Sequence, residues 1–501
     1  MVLEYAWTYI AGPVVYGYFS SRPAYSPNWL ERLGDSGLML LNGLRYICTA
    51  ISPILILIAH SRSLLTRPHI INFLRYTIGL YAFALSSRTL GRLTNPEYRE
   101  FVSILSSVKR NKNSDKAMKE QLAEYDYQIF DAPIDFTAAE TNRIYVNPTD
   151  EAFQSNGLIL DLLRDILAYG AAHLFGRRLA YPGSTALVNT VLSSHCIEGR
   201  KNLVLHQHAR RAVLKTVDGN VIDTMFLDRR ERNDDKGKIL VINIEGNASM
   251  YEAGISTPQS LGYSVLCWNQ PGFGESTGEP WPKQTLAAAE AVMQYALKQL
   301  GFREEDIVIY CWSIGGFPGT WLAANYPKIK GLILDATFDD LLPLAIDRMP
   351  VSCSSIVHYA VRCYLNLPIA NQLALYKGPV LLIRRLNDDI VISSKTLMSS
   401  DKEKRASNRI NFLLKSLLRN RYPGLIDGRE SYVDEWLEAD ALLRSTMEPS
   451  QPPPIPNNFS SVTDEERSRI IFYLCSKYFV DYDAGHNDPL NPLLFILPPS
   501  F

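Results

Sequence analysis

The sequence lacks the patterns that mark several large classes of protein. Its seven cysteines include no C-x-x-C pair, which argues against a structural zinc site and a disulfide framework, so we expect reduced thiols. It has no G-x-x-x-x-G-K-[ST] motif and therefore no phosphate-binding loop of that type. The net charge of −1 gives no general attraction to nucleic acid. The first residues carry Glu4 and no Lys or Arg, so a cleaved signal peptide is not expected.

Long apolar runs are also few, and the two strongest lie close together near the N-terminus. As a helix of about 35 Å, residues 37–59 would cover a bilayer core, although Arg45 and Pro53 interrupt the run. A second apolar run falls within residues 70–87. Two such neighbouring runs favour a membrane hairpin, either spanning or re-entrant, over a buried pair of helices. We therefore predict that residues 1–95 form an N-terminal region with two membrane-associated segments.

Residues 96–205 are predicted to be mostly helical. Within them, apolar residues between positions 158 and 167 recur at the spacing of one helix face. Such a helix could lie on a membrane surface or pack against a core. Because its polar face is not rich in Lys or Arg, we expect it to face a core.

The pattern changes in residues 206–501, which are predicted to form a domain of their own. Strand-like runs flank Asp218 and Gly219, which indicates a β-hairpin. Apolar strands then alternate with helices, a pattern typical of an α/β fold with a mostly parallel sheet. Insertions are expected at about 340–375 and 395–475. The predicted strands cover residues 238–244, 264–269, 306–312, 331–336 and 378–385.

One predicted strand runs directly into Ser313, and small residues follow it. A serine nucleophile on a sharp strand-to-helix turn needs small residues two positions before and after it, because strand and helix pass close together. Gly315 meets this requirement, whereas Cys311 stands where glycine is usual but is itself small. The pattern predicts an α/β-hydrolase with Ser313 as the nucleophile. The alternative is a serine in an ordinary glycine turn.

An α/β-hydrolase requires an acid and then a histidine after the serine in the chain. His486 is the only histidine in the last quarter of the sequence, so we predict that it is the base. Asp388 directly follows a late predicted strand and is the favoured acid, with Asp389 as its immediate rival. Asp335 ends the preceding strand and could also serve, although a turn or helix-cap role is the expected one.

Ester hydrolysis also needs N–H donors for the developing oxyanion. The backbone N–H of Ile314, next to the serine, is one expected donor. The second is expected from Asn247 or Ala248, in the loop that begins at Gly246 after a predicted strand. A plain strand-to-helix turn would also favour these residue types. No pattern in the sequence indicates a metal ion or a cofactor.

Five segments together resemble one family of enzymes. With the paired apolar runs, the chain is similar from about residue 200 onwards to the alpha/beta-hydrolase domain-containing protein 16 family, the membrane-bound phosphatidylserine lipases. The resemblance implies hydrolysis of one acyl ester of phosphatidylserine to lysophosphatidylserine, and activity on monoacylglycerols. It also implies residence in the endoplasmic reticulum membrane, with the catalytic domain facing the cytosol. By motif, it implies Ser313, Asp388 and His486 as catalytic residues. The segments are EGNASMYEAG (245–254), WNQPGFGESTGEPWP (268–282), CWSIGGFPGTW (311–321), LILDATFDDLLPLA (332–345) and PVLLIRRLNDDIV (379–391).

A lipid substrate is consistent with the sequence, because the insertion at 340–375 is apolar enough to line an acyl channel. The expected partners are phospholipid and monoacylglycerol substrates and the membrane, without nucleic acid. The competing hypotheses are a catalytically inactive hydrolase-fold scaffold and a protein thioesterase that removes acyl groups from cysteines. Glycosylation sequons begin at Asn247 and Asn458, and we expect both to be unmodified in a cytosolic domain.

Overall fold

The structure is a computed structural model, and its described residues divide into two compact units. The first unit comprises Met1–Pro133 and Arg200–His206, and the second comprises Ile134–Gly199 and Gln207–Phe501. The predicted helical region 96–205 is therefore shared between them. Residue 51 of the first apolar run, and residues 111–115 and 147–156, lie outside the described part of the chain. The described residues are 2–20, 22–50, 52–62, 64, 66–110, 116–146, 157–231, 235–253, 257–396 and 398–499.

The first unit is mainly helical. Its two short strands, β1 (Val15–Tyr18) and β2 (Tyr125–Tyr127), pair in the antiparallel direction. Buried aromatic side chains pack beside this pair, with the Phe101 ring 5.3 Å from that of Tyr125. Its helices are α1 (Val2–Ala11), α2 (Trp29–Ala50), α3 (Ser52–Ser61), α4 (Arg67–Thr94), α5 (Pro96–Arg110) and α6 (Lys116–Ala123).

Helices α2 and α4 pack closely against each other in antiparallel directions. A Cβ on Gly34 would lie 2.4 Å from the backbone nitrogen of Arg88, and one on Gly91 would lie 2.3 Å from that of Glu31. Only glycine allows the two helix backbones to approach to this distance. Among the described residues, no helix combines the length and apolar character needed to cross a bilayer. The helical pair is thus observed, whereas the membrane hairpin predicted from the sequence is not shown.

The second unit is built on a nine-stranded sheet of described residues. The strand order is β11-β10-β9-β8-β6-β7-β5-β4-β3, and all pairings are parallel except those of β5 with β4 and β7. This confirms the predicted hairpin and the mostly parallel sheet. The strands are β3 (Phe136–Thr137), β4 (Arg210–Lys215), β5 (Val221–Leu227), β6 (Leu240–Ile244), β7 (Ser264–Trp268), β8 (Ile307–Trp312), β9 (Gly331–Asp335), β10 (Val380–Asn387) and β11 (Phe479–Gly485).

Every residue of the central strands β6, β7, β8 and β9 is buried, because helices cover the sheet. This burial explains why these strands read as continuous apolar runs rather than as alternating ones. The helices of this unit are α7 (Leu158–Gly170), α8 (Arg177–Ala180), α9 (Ala186–Gln207, which extends into the first unit), α10 (Pro282–Lys298), α11 (Gly316–Asn325), α12 (Leu341–Arg348), α13 (Ser354–Tyr364), α14 (Ile369–Leu375), α15 (Asp401–Ser407), α16 (Ile410–Arg421), α17 (Glu430–Glu438), α18 (Ala441–Met447) and α19 (Asp464–Tyr478).

Helix α7 corrects one prediction. The helix forms as expected, but its apolar face does not pack into a core. Among the described side chains of this region, only the small ones of Ala168 and of Ala172, in the π-helical turn that follows α7, are buried, against Ala360 of α13. The larger apolar side chains lie outside this narrow contact and stay exposed. They are Ile159, Leu160, Leu162, Leu163, Ile166 and Leu167.

Candidate active site

The turn after β8 has the geometry expected of a reactive serine. Strand β8 ends at Trp312, Ser313 follows in a left-handed conformation with φ of 55°, and α11 begins at Gly316. A positive φ is unfavourable for a residue with a Cβ, so the surrounding packing must hold this turn in place. The serine is buried, with only 3% of its surface exposed.

The neighbours of Ser313 are small because the strand and the helix leave no room. A Cβ on Gly315 would lie 2.7 Å from the carbonyl oxygen of Ile244. A Cβ on Gly319 would lie 2.0 Å from the Cys311 Sγ. Cysteine is therefore accommodated before the serine because glycine stands opposite it in α11, a compensation that the sequence pattern alone did not reveal.

The structure brings Ser313, His486 and Asp388 into one hydrogen-bonded chain. The His486 Nε2 lies 3.0 Å from the Ser313 Oγ, and its Nδ1 lies 2.7 Å from the Asp388 Oδ2. His486 and Asp388 are 3% and 2% exposed, so water scarcely competes for these bonds. With a proton on Nδ1, the Nε2 can accept the proton of the serine hydroxyl.

The loop after β10 fixes the orientation of Asp388. Its Oδ1 accepts hydrogen bonds from the backbone N–H groups of Ile390 and Val391, at 2.8 and 2.9 Å, which leaves Oδ2 for the histidine. The side chain of Asp389 is exposed, and its backbone oxygen accepts a hydrogen bond from Arg348 of α12 at 2.8 Å. Of the two neighbouring aspartates, only Asp388 contacts His486.

Asp335, the third candidate acid, belongs to a buried ion pair. Its carboxylate accepts two hydrogen bonds from Arg385, at 2.9 and 2.8 Å, and one from the Tyr310 hydroxyl at 2.7 Å. Burial alone would lower the pKa of Arg385, but the hydrogen bonds and charge of Asp335 raise it overall. Asp335 therefore serves as the counter-ion of Arg385, and the turn or helix-cap role expected for it is wrong.

Arg385 also connects this ion pair to the histidine loop. Its guanidinium donates hydrogen bonds to the backbone oxygens of Gly485, at 3.1 Å, and Asp488. These two residues flank His486, and Trp312 adds a hydrogen bond from its Nε1 to the His486 oxygen at 3.1 Å. Sequence reasoning missed Arg385, although a charged residue inside an apolar strand signals a buried partner.

The loop after β6 packs against the serine turn. A Cβ on Gly246 would lie 2.9 Å from the Trp312 ring, which explains the glycine. Asn247 and Ala248 follow in this loop, and Ile314 is buried in the serine turn. Their assignment as oxyanion donors stays a prediction.

A buried carboxyl group, Glu245, precedes this loop. Its Oε1 accepts a hydrogen bond from the Asn243 Nδ2 at 2.7 Å. Burial raises the pKa of Glu245 from 4.5 to about 7. The group is therefore partly protonated near neutral pH, a feature that the sequence did not predict.

Helices α12, α13 and α14 occupy the predicted insertion between β9 and β10. Asp340 caps α12 through a hydrogen bond from the Leu342 N–H, and its carboxylate pairs with Arg362 of α13 at 2.7 Å. The hydrogen bond from Arg348 to the loop after Asp388 ties the same group of helices to the site. We call these three helices the cap.

Comparisons with known proteins agree with this architecture. Residues 4–128 match the phosphatidylserine lipase ABHD16 N-terminal domain, and residues 240–351 match the alpha/beta hydrolase fold. Human phosphatidylserine lipase ABHD16A is 36% identical, over 95% of this chain and 91% of its own length. The chain belongs to the ABHD16 family. The uncharacterized protein F37A4.1 from Caenorhabditis elegans is 39% identical over 98% of both chains.

Membership of the ABHD16 family confirms the resemblance drawn from the five sequence segments and the α/β-hydrolase fold. It also makes the chain a carboxylic ester hydrolase. Among solved structures, an alpha-beta hydrolase from Vibrio vulnificus aligns with 47% of this chain and 79% of its own, at 20% identity and a TM-score of 0.33. The fold assignment rests on the family models and the strand order rather than on that likeness.

Proposed function

We propose that this ABHD16-family chain is a membrane-bound serine lipase that hydrolyses one acyl ester of phosphatidylserine and releases lysophosphatidylserine. The observation that carries the proposal is the hydrogen-bonded chain from Ser313 through His486 to Asp388. The name of the human relative supports the phospholipid substrate. Monoacylglycerols, which present the same kind of ester on a smaller alcohol, are proposed as a second substrate class.

The proposed mechanism uses the three residues in sequence. His486 accepts the hydroxyl proton as the Ser313 oxygen attacks the ester carbonyl, and the new oxyanion is held by backbone N–H groups. The tetrahedral intermediate collapses, and His486 donates the proton to the departing alkoxide of the lysophospholipid. Water then attacks the acyl-enzyme with His486 as base and releases the fatty acid. Asp388 keeps the imidazole in the tautomer that this cycle requires.

The oxyanion donors are proposed to be the backbone N–H of Ile314 and that of Asn247 or Ala248. The support is positional. Ile314 follows the serine, and the loop with Asn247 leaves β6, the strand that pairs directly with β8 in the sheet. Both donors would act at the carboxyl end of parallel strands, where catalytic groups of such sheets gather.

Membrane attachment is proposed to occur through the segments at 37–59 and 70–87. Helices α2 and α4 expose several large apolar side chains, and such a surface is unfavourable in water but favourable in lipid. Carbonate extraction of cell membranes would test the attachment, since a peripheral protein would be released and an embedded one would stay in the pellet. The supporting side chains on α2 and α4, each more than half exposed, are Met39, Leu40, Ile47, Phe73, Leu74, Ile78 and Phe83.

The proposed location is the endoplasmic reticulum membrane, with the catalytic unit in the cytosol. A glycan on Asn247 would obstruct the proposed oxyanion loop, so a lumenal catalytic unit glycosylated at Asn247 would be inactive. Endoglycosidase treatment should cause no mobility shift at Asn247 or Asn458, and protease added to sealed microsomes should digest residues 200–501. A glycosidase shift, or protection of that region, would reverse the proposed topology.

The substrate can be tested with purified full-length protein and vesicles that contain phosphatidylserine, phosphatidylcholine or monoacylglycerol. Mass spectrometry of the products should show lysophosphatidylserine and fatty acid, and neither should appear with Ser313→Ala. Hydrolysis of acylated cysteine peptides without any lipid hydrolysis would favour the thioesterase alternative. Absence of every activity would favour the inactive scaffold.

A further inference from the structure

The segment formed by α7, the π-helical turn Ala171–Gly176 and α8 exposes an unusual amount of apolar surface. We call residues 158–180 the rim segment. It belongs to the catalytic unit and not to the N-terminal unit. Six of its large apolar side chains, Ile159, Leu160, Leu163, Leu167, Phe175 and Leu179, are 75, 58, 50, 54, 63 and 60% exposed.

The rim segment connects the cap with the proposed oxyanion loop. On one side, the Tyr359 hydroxyl of α13 donates a hydrogen bond to Asp165 of α7 at 2.5 Å. On the other, the turn that follows α8 places the Gly183 N–H on the Asn247 oxygen at 3.0 Å. A Cβ on Gly183 would lie only 3.1 Å from the Ala248 Cα. The exposed apolar surface is therefore located beside the active site.

Aromatic and basic side chains border this apolar surface. The His173 ring stacks on Tyr169 at 3.8 Å and lies 4.3 Å from the ring of Trp281 and 5.4 Å from that of Tyr364. The Arg177 guanidinium lies 5.3 Å from the Trp281 ring and is neutralised by an ion pair with Glu279. Tyr and Trp beside aliphatic side chains form the composition found where protein surfaces meet the headgroup level of a bilayer.

We propose that the rim segment is a second lipid-contacting surface, which places the mouth of the active site on the leaflet that contains the substrate. The occupant is a phospholipid leaflet because the ester to be cleaved lies a few bonds below the headgroups. The apolar side chains enter the acyl region, and the aromatic side chains remain at headgroup depth. This surface is separate from the N-terminal attachment. The proposal depends on the proposed lipase function only because that function identifies the phospholipid in the leaflet as the substrate.

The first test compares two rates of the full-length enzyme, hydrolysis of a long-chain phospholipid in vesicles and of a short-chain ester dissolved in water. The variant is Leu160→Gln with Leu163→Gln. The matched control is Leu442→Gln with Leu443→Gln on α18, whose leucines are 79 and 52% exposed. The ratio of vesicle rate to dissolved-ester rate should fall about tenfold for the rim variant, because two leucines no longer enter the lipid. It should be unchanged for the control. An unchanged ratio in the rim variant would overturn the proposal, whether or not both rates fall.

The second test does not depend on catalysis. Full-length Ser313→Ala protein is reconstituted in phosphatidylserine and phosphatidylcholine vesicles that carry a photoactivatable acyl chain. Cross-linked lipid should map to residues 158–180 and not to residues 441–447. Lipid cross-links in the rim without any lipid hydrolysis by the wild-type enzyme would overturn the proposed function alone. Hydrolysis without rim cross-links, or cross-links from the rim to a second protein instead of to lipid, would overturn the surface.

Discussion

Replacement of two buried aspartates by asparagine should have opposite effects on activity and stability. In Asp388→Asn, the side-chain oxygen can still accept the N–H bonds of Ile390 and Val391, so the fold should persist. The amide nitrogen would then face the His486 Nδ1 and favour the tautomer that cannot accept the serine proton. A loss of about ten-thousandfold in kcat is expected, equivalent to about 5.5 kcal/mol in the activation barrier.

Asp335→Asn removes the only carboxylate seen to pair with Arg385 in the described residues, while the guanidinium remains 2% exposed. An uncompensated buried charge typically costs about 3–5 kcal/mol. The loss should therefore appear in the free energy of unfolding. Molecules that remain folded should keep most of their activity, because Arg385 can still donate to the backbone oxygens of Gly485 and Asp488 that flank His486. Asp335 itself has no hydrogen bond to Ser313 or His486 in this structure.

The assay measures the rate of fluorophosphonate labelling for each variant, normalised to the folded fraction from a urea titration. Asp388→Asn should be stable and almost unlabelled, whereas Asp335→Asn should be destabilised and labelled per folded molecule. The opposite pattern, with normal labelling of Asp388→Asn and a stable but unlabelled Asp335→Asn, would show that the acid has been misassigned.

Two further predictions concern the packing and ionisation around the site. Because burial raises the pKa of Glu245 from 4.5 to about 7, the folded state binds this proton more tightly than the unfolded chain, and stability should fall as pH rises through that interval. The free energy of unfolding should decrease by about 3 kcal/mol across this pH interval, and Glu245→Gln should remove the decrease. Urea titrations at about pH 5 and pH 8 would measure it. An equal decrease in the variant would contradict the pKa assigned to Glu245. Gly319→Ala should destabilise the protein by about 1–3 kcal/mol despite the better helix propensity of alanine, because its Cβ meets the Cys311 Sγ. In a Cys311→Ala background the same change should be neutral or stabilising, and equal costs in both backgrounds would refute the steric explanation.

Local patterns predicted the elements that carry the site. Continuous apolar strands, each followed by turn residues, located β6 to β10 to within a few residues, because burial on both faces leaves a strong signal. The chain order of a serine, an aspartate and a late histidine selected three residues that the structure brings together. The sequence did not predict the contact between Cys311 and Gly319, because the two residues meet only where strand β8 packs against helix α11.

Other features depend on partners that are distant in the sequence. The sequence favoured Asp388 as the acid but left Asp389 and Asp335 as alternatives. Two contacts between distant residues distinguish them: His486 binds Asp388, and Arg385, fifty residues away, binds Asp335. Helix α7 has the period of a core-facing helix, but the period does not specify what covers the face. The same limit applies to residues 37–59 and 70–87, whose apolar character predicts an apolar environment without identifying it.

The most direct test of the central claim is to locate the residue that reacts with a fluorophosphonate probe in the full-length protein. After labelling, digestion and mass spectrometry, the adduct should lie on Ser313, and Ser313→Ala should lose both the adduct and the release of lysophosphatidylserine from vesicles. An adduct on another residue, or lipid hydrolysis that persists in Ser313→Ala, would contradict the assignment of this site as the catalytic centre.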